Sequence, residues 1–119
     1  MEFFIQDPNI AKLPPEDVRI QDLKAGLYTD GRRVRVALVL TPFQESPEIE
    51  ANLFDTAGQK VGSTSIVEPV NGKLEWTMHI RQVESVIGEL RLWVSVAYPG
   101  KQETVDQREI PVAMTRIDE

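Results

Sequence analysis

Apolar residues recur at every second position through most of this chain, and no segment sustains a helical period over three turns. The clearest run is RRVRVALVLTP, where Val34, Val36, Leu38 and Leu40 share one parity and Arg33, Arg35, Ala37 and Val39 the other. Successive strand side chains point to opposite faces, so the first set is predicted to face a core. The same reading turns Ile49, Ala51 and Leu53 inward in EIEANLFDT, and Leu74, Trp76, Met78 and Ile80 inward in KLEWTMHIR. In GELRLWVSVAY the inward set is Leu90, Leu92, Val94, Val96 and Tyr98. Trp93 is left on the outer parity with Arg91, Ser95 and Ala97, an unusual place for an indole.

Three further runs bring the predicted strands to seven. DVRIQDLKAGLY (17–28) turns Val18 and Ile20 inward and slips near Gln21 to Lys24 before the pattern resumes. KVGSTSIVE (60–68) is small and polar, which suits an edge strand that must not recruit partners. ETVDQREIPV (103–112) continues the core with Ile110 and Val112, while Pro111 removes a ladder donor and so fits an edge. Turn residues separate the runs: Gly31 after Thr29 and Asp30, Gly58 within DTAGQK at a left-handed position, and the pair Asn71 and Gly72 after Pro69. QVESVIG reads as one helical turn, with Gly88 resetting the chain. Seven short strands at regular spacing predict an all-β fold, a seven-stranded antiparallel Greek-key sandwich. An eight-stranded closed barrel needs one more strand, for which only the EFFIQ stretch offers itself.

The 119 residues match a single domain. Residues 1–16, with Pro8, Pro14 and Pro15, read as an N-terminal arm, 17–112 as the sandwich, and 113–119 as a mobile C-terminal tail.

From Asp17 to Val112 the chain resembles the immunoglobulin-like and fibronectin-type-III-like sandwiches of bacteria. The resemblance is carried by ANLFDTAGQKV with its D-x-x-G hairpin, the alternating GKLEWTMHI, and the G-x-L-x-L entry of GELRLWVSV. It implies an immunoglobulin-like arrangement in which the third, sixth and seventh strands are neighbours. Leu90 and Leu92 stand where immunoglobulin domains carry a tyrosine and a cysteine, so the tyrosine corner and inter-sheet disulfide are absent, and Trp76 lies in the fifth strand, not the third.

Charge and residue types narrow the chemistry. A net charge of -6 and a pI near 4.8 oppose nucleic acid as a partner, because phosphate binding draws on clustered Lys and Arg. No apolar run approaches the ~20 residues of a membrane helix, and MEFFIQDP has no basic start, so neither a membrane nor a signal peptide is expected. Cysteine is absent, which fits a reducing, cytoplasmic setting. His79 is the sole histidine, and Thr77 and Glu75 on its face stand about 7 Å away per step along the strand, too far and too flat for a shielded triad. No catalytic residue, metal site or cofactor is therefore expected, and Glu45, Glu48, Asp55, Glu68, Glu84 and Asp106 lack calcium-loop spacing. Phosphate-cradling glycine loops are missing too. Arg32, Arg33 and Arg35 read as a solvated face paired to carboxylates such as Glu75.

What remains is Trp93. On neighbouring third, sixth and seventh strands the outer face gathers Phe54, Trp93 and Val105, flanked by Asn52 and Arg91. Such aromatic patches mark contacts, so the chain is expected to be a non-catalytic protein-interaction or structural module, its partner another protein or a second copy in a homodimer. The alternative is a carbohydrate-binding module in which Trp93 and Phe54 form a platform completed by Asn52, Gln107 and Arg91. The arm, through Phe3, Phe4 or Ile5, either covers Trp93 in the same chain or is exchanged between copies.

Overall fold

The structure, a computed structural model, describes residues 11–101 and 103–117, with 114–117 described through their backbone. Its strands are β1 (Ile20–Tyr28), β2 (Arg33–Leu40), β3 (Glu48–Phe54), β4 (Lys60–Ile66), β5 (Lys73–His79), β6 (Arg91–Ala97), β7 (Asp106–Pro111) and β8 (Ala113–Ile117). They form two four-stranded sheets, ordered β5-β2-β1-β8 and β4-β3-β6-β7. This is the expected immunoglobulin-like sandwich, with β3, β6 and β7 adjacent and β4 at an edge. The only helical pieces among the described residues are single 3-10 turns at Pro15–Asp17 and Val83–Ser85.

Period-two burial builds the core. Along β2, Val34, Val36, Leu38 and Leu40 are all buried while Arg35 between them is exposed. Opposite them Leu53, Leu92, Val94 and Val96 are sealed completely. Trp76 lies on the edge strand β5, directly across from Val36, where it packs half-buried against this cluster.

The irregularity expected in the first strand is a bulge. Ile20 pairs with Leu40 but Asp22 already pairs with Val39, so one extra residue interrupts the ladder. Beside the bulge the Ile20 backbone groups point away from β2, beyond the reach of β8, and are satisfied from the other sheet: the Ile20 N–H donates to Asp106 Oδ2 at 2.9 Å, and Arg108 Nη2 donates to the Ile20 carbonyl at 2.9 Å. Buried backbone groups need such partners, and here the partners also pin β7 to β1.

Residues 113–117, expected as a mobile tail, instead form the eighth strand. Val112 is buried and its N–H still bonds Leu90 in the second sheet, at 2.9 Å. One residue later Ala113 pairs with Gly26 of the first sheet, and β8 runs parallel to β1. The seventh predicted strand is thus divided by a crossing between sheets, which period alone does not reveal. Part of the expected arm is also docked. Leu13 bridges Phe43, its N–H donating to Pro42 O at 3.1 Å and its carbonyl accepting from Gln44 N at 2.9 Å, and Pro15 is buried. The proposals for EFFIQ, Phe3, Phe4 and Ile5 fall outside the described residues.

Removing residues 113–119 strips one edge of β1. It is expected to cost about 2 kcal/mol of stability, read as a lower urea midpoint with near-unchanged far-UV circular dichroism. An unchanged midpoint would mean that β8 contributes nothing to the fold.

Candidate functional site

The outer face of the second sheet is a grid set by strand register. Its central row runs Ser63, Asn52, Trp93, Glu109, because Asn52 pairs with Ser63 and Trp93, and Trp93 with Glu109. One row toward the start of β6 are Lys60, Phe54, Arg91 and Pro111, and one row the other way Ser65, Glu50, Ser95 and Gln107. Trp93 and Phe54 are therefore diagonal neighbours, within reach for aromatic side chains. Both are half-buried, and neither belongs to the core cluster, so the indole faces away from the interior as its parity required. Arg91 Nε reaches Glu109 Oε2 at 3.0 Å beside the indole.

Four of the five expected site residues, Asn52, Phe54, Arg91 and Trp93, lie together on this grid. Val105 does not join them. It lies just before β7, its N–H bonded to Val96 O at 2.8 Å, and its side chain packs half-buried against the core. The chain bends before the ladder begins, so parity counted back from β7 misplaces it. Sequence reasoning also overlooked Glu109 and Lys60, which only the register brings beside Trp93 and Phe54. Charge is graded along this face, with Lys60 and Arg91 at one end and Glu48 and Glu50 at the other.

On the first sheet's outer face two arginines of the basic run, Arg33 and Arg35, are internally satisfied. Arg33 lies 4.4 Å from the Tyr28 ring centroid and its Nε donates to Asp30 Oδ2 at 2.8 Å. Arg35 is paired with Glu75, whose hydrogen bond and negative charge push the guanidinium pKa above its ordinary value. The Tyr28 hydroxyl meets Thr77 Oγ1 at 3.2 Å, spanning from β1 across β2 to β5. Tyr28 is only 6% exposed although its parity is outward, and alternation alone assigns it no partner. His79, exposed and opposite Arg33, has its neighbours Thr77 and Glu75 committed to Tyr28 and Arg35.

Among the described residues no three His, Cys, Asp or Glu side chains converge as a metal centre would require. Glu45, Glu48 and Glu68 line an open hollow of about 700 Å³ at one end of the sandwich, together with Tyr98 and Lys101. Asp55 is spent otherwise. Its Oδ1 accepts from the Ala57 and Gln59 N–H groups and its Oδ2 from Gln59 Nε2 and the Ile87 N–H, at 2.8 to 3.1 Å. Burial alone would raise its pKa; the bonds from Gln59, Ile87 and Ala57 outweigh it and hold the carboxyl below its ordinary value. Thr56 reinforces the tie through Ile87 O, and Gly88, at φ +75°, packs so closely on Thr56 that a Cβ has no room. Burial, then the nearby Glu45 charge, raise the pKa of Tyr98, whose hydroxyl donates to the Glu45 carbonyl at 2.9 Å.

No protein-family model matches the chain, and no curated protein matches it. Its sandwich is similar to part of several solved structures. A β-glucuronidase from Bifidobacterium dentium aligns with a TM-score of 0.63 at 10% identity, over 82% of this chain and 18% of the enzyme. A glycosyl hydrolase family 2 member from Bacteroides cellulosilyticus aligns with a TM-score of 0.59 at 9% identity, over 82% and 14%. A β-glucuronidase from Ruminococcus gnavus gives 0.56 at 12% identity, over 82% and 16%. The chain thus spans less than a fifth of each, and at these identities the likeness is one of fold.

Asp55 makes part of the stability acid-sensitive. Because folding lowers its pKa, its contribution is present above the unfolded value and is lost as pH falls through the folded one. Asp55→Ala is expected to lower the thermal midpoint at neutral pH, and its deficit against the parent to shrink from about pH 4 downward. A deficit that persists undiminished in acid would contradict a role for the charged carboxylate.

Proposed function

We propose that the chain is a non-catalytic sandwich module that associates with a second copy of itself through the outer face of β4-β3-β6-β7. The observation that carries this reading is Trp93, turned out of the core at the centre of a face whose charge changes sign on either side of it. A two-fold axis lying between two such faces, across the strands at the level of Trp93, stacks indole near indole. It also sets the Glu48 and Glu50 end of one copy over the Lys60 and Arg91 end of the other. Isologous contacts of this kind are self-complementary by symmetry. Glu109, near the axis, is ion-paired with Arg91 of its own chain, so Lys60 carries the net positive charge at that end of the face. The aromatic contact supplies the attraction, at roughly 25 cal/mol per Å² before association costs, and the charges set register more than affinity.

Face area limits the strength. Four strands about 4.8 Å apart and seven residues at about 3.3 Å make a patch of roughly 19 by 23 Å, so two copies bury on the order of 1,000 Å². That is the low end for a specific interface, which implies a reversible dimer. A non-catalytic role is further supported by the partners of Thr77 and Glu75, which leave His79 without a triad.

A carbohydrate ligand is the second reading. It is favoured by the hydrogen-bonding Asn52, Glu109 and Gln107 around the indole, and by the glycoside-cleaving enzymes among the similar solved structures.

Sedimentation velocity over a concentration series tests the first reading. Trp93→Ala is expected to abolish dimerisation and to melt as the parent does at concentrations where the parent is monomeric, whereas Trp76→Ala is expected to cost about 3 kcal/mol of stability. The double variants Glu48→Lys with Glu50→Lys, and Lys60→Glu with Arg91→Glu, should each dimerise less than the parent and recover when mixed. If Trp93→Ala and Trp76→Ala behave alike, the outward placement fails. If the parent stays monomeric while a glycan panel shifts its tryptophan emission in a Trp93-dependent way, the second reading replaces the first.

A further inference from the structure

The connection from β4 to β5 carries the chain from one sheet to the other and ends on Asn71 and Gly72. We infer that this pair is a self-modification site, at which Asn71 deamidates through attack by the Gly72 backbone nitrogen. Three features of the folded chain favour the step. Asn71 is exposed, so water and hydroxide reach its side chain. Asn71 Oδ1 accepts from the Lys73 N–H at 2.9 Å, which turns the carboxamide forward along the chain and polarises its carbonyl. The Gly72 N–H donates no hydrogen bond among the described residues, so its proton can be removed without breaking one, and a glycine has no side chain to obstruct the approach.

The chemistry balances without an oxidant or reductant. Hydroxide removes the Gly72 N–H proton, the nitrogen bonds to Asn71 Cγ, the Cγ–Nδ2 bond breaks, and ammonia leaves with protons taken from water. Water then opens the five-membered imide. Attack at the side-chain carbonyl gives aspartate; attack at the main-chain carbonyl gives isoaspartate, whose backbone runs through the former side chain. The net change is one water consumed and one ammonia released, and the turn gains a negative charge.

Gly72 makes the isoaspartate product consequential. Its carbonyl accepts the Leu40 N–H at 2.8 Å, and its α-carbon lies so close to Leu40 that an added Cβ would meet the Leu40 carbonyl oxygen at 2.7 Å. Leu40 ends β2 inside the core, at 3% exposure. One extra methylene in the backbone at position 71 cannot be taken up there without shifting Gly72 off Leu40. The site thus couples a surface reaction to the end of a core strand. Asn52, by contrast, sits within β3, where Leu53 after it is completely buried, and is expected to be inert.

Incubating the folded full-length chain at mildly alkaline pH and physiological temperature tests the site. The tryptic peptide 61–73 holds a single Asn and no Gln, so a gain of one mass unit can arise only at Asn71. The expected result is progressive conversion, faster at higher pH, with isoaspartate detected by methyltransferase labelling, no conversion in Asn71→Gln, and no change at Asn52. The isoaspartate fraction should melt lower than the parent and exchange its Leu40 amide proton faster, while Asn71→Asp, which adds charge without lengthening the backbone, keeps Leu40 protected. Conversion in the denatured chain but not in the folded one would overturn the site. An isoaspartate fraction with unchanged melting and Leu40 protection would overturn its coupling to β2.

Discussion

The inward faces of two twisted sheets press against each other, and every other feature of this chain is placed by that contact. Leu38 on one sheet and Leu53, Leu92 and Val94 on the other are almost wholly removed from water. Burying such a side chain contributes roughly 1.5–3 kcal/mol, and because strands alternate faces, a slip of one residue would expose an entire set at once. Register is therefore held tightly at the centre of each sheet. The outer parity follows as a necessity, and Trp93 is outward because Leu92 and Val94 are inward.

Sandwich edges are less constrained, and here they are tied by polar groups. Asp106 and Arg108 of one sheet complete the backbone of Ile20 in the other, on the side of β1 that β8 does not reach. Asp55 gathers the turn after β3 onto the 82–88 connection. The Arg81 N–H bonds the Val61 carbonyl at 2.8 Å, closing part of the β4 edge that would otherwise stay open to another chain. At the opposite end the final strand crosses at Val112 and covers β1. These ties differ from the core in kind: each depends on a handful of hydrogen bonds about one or two polar side chains, so each can be lost singly.

That contrast explains what the sequence disclosed. Faces were legible because period two is a local property: Val34 to Leu40, Ile49 to Leu53 and Leu90 to Tyr98 all bury the residues their alternation assigns. The bulge near Gln21 was legible as a break in the same pattern. Neighbours across a sheet were not, since pairing is set by long-range topology. Hence Glu109 beside Trp93, and Tyr28 reaching Thr77 over β2, had no sequence signal beyond proximity to a turn. The last strand was hidden because its five residues follow a sheet crossing and pair in parallel with β1, where no turn announces a partner. Val105 was misplaced for a similar reason, being counted on a strand that starts one residue later.

The functional reading inherits its footing from the faces. An outward indole flanked by charges of opposite sign on two sides is meaningful only if alternation across the sandwich is real in solution. The chain contains no cysteine, so single thiols can be introduced at each of positions 33 to 40 along β2 and their labelling rates followed without background. Thiols at 33, 35, 37 and 39 should react readily, and those at 34, 36, 38 and 40 only after denaturant is added. Similar rates at adjacent positions, or protection running through consecutive residues, would contradict the two-layer packing on which the account rests.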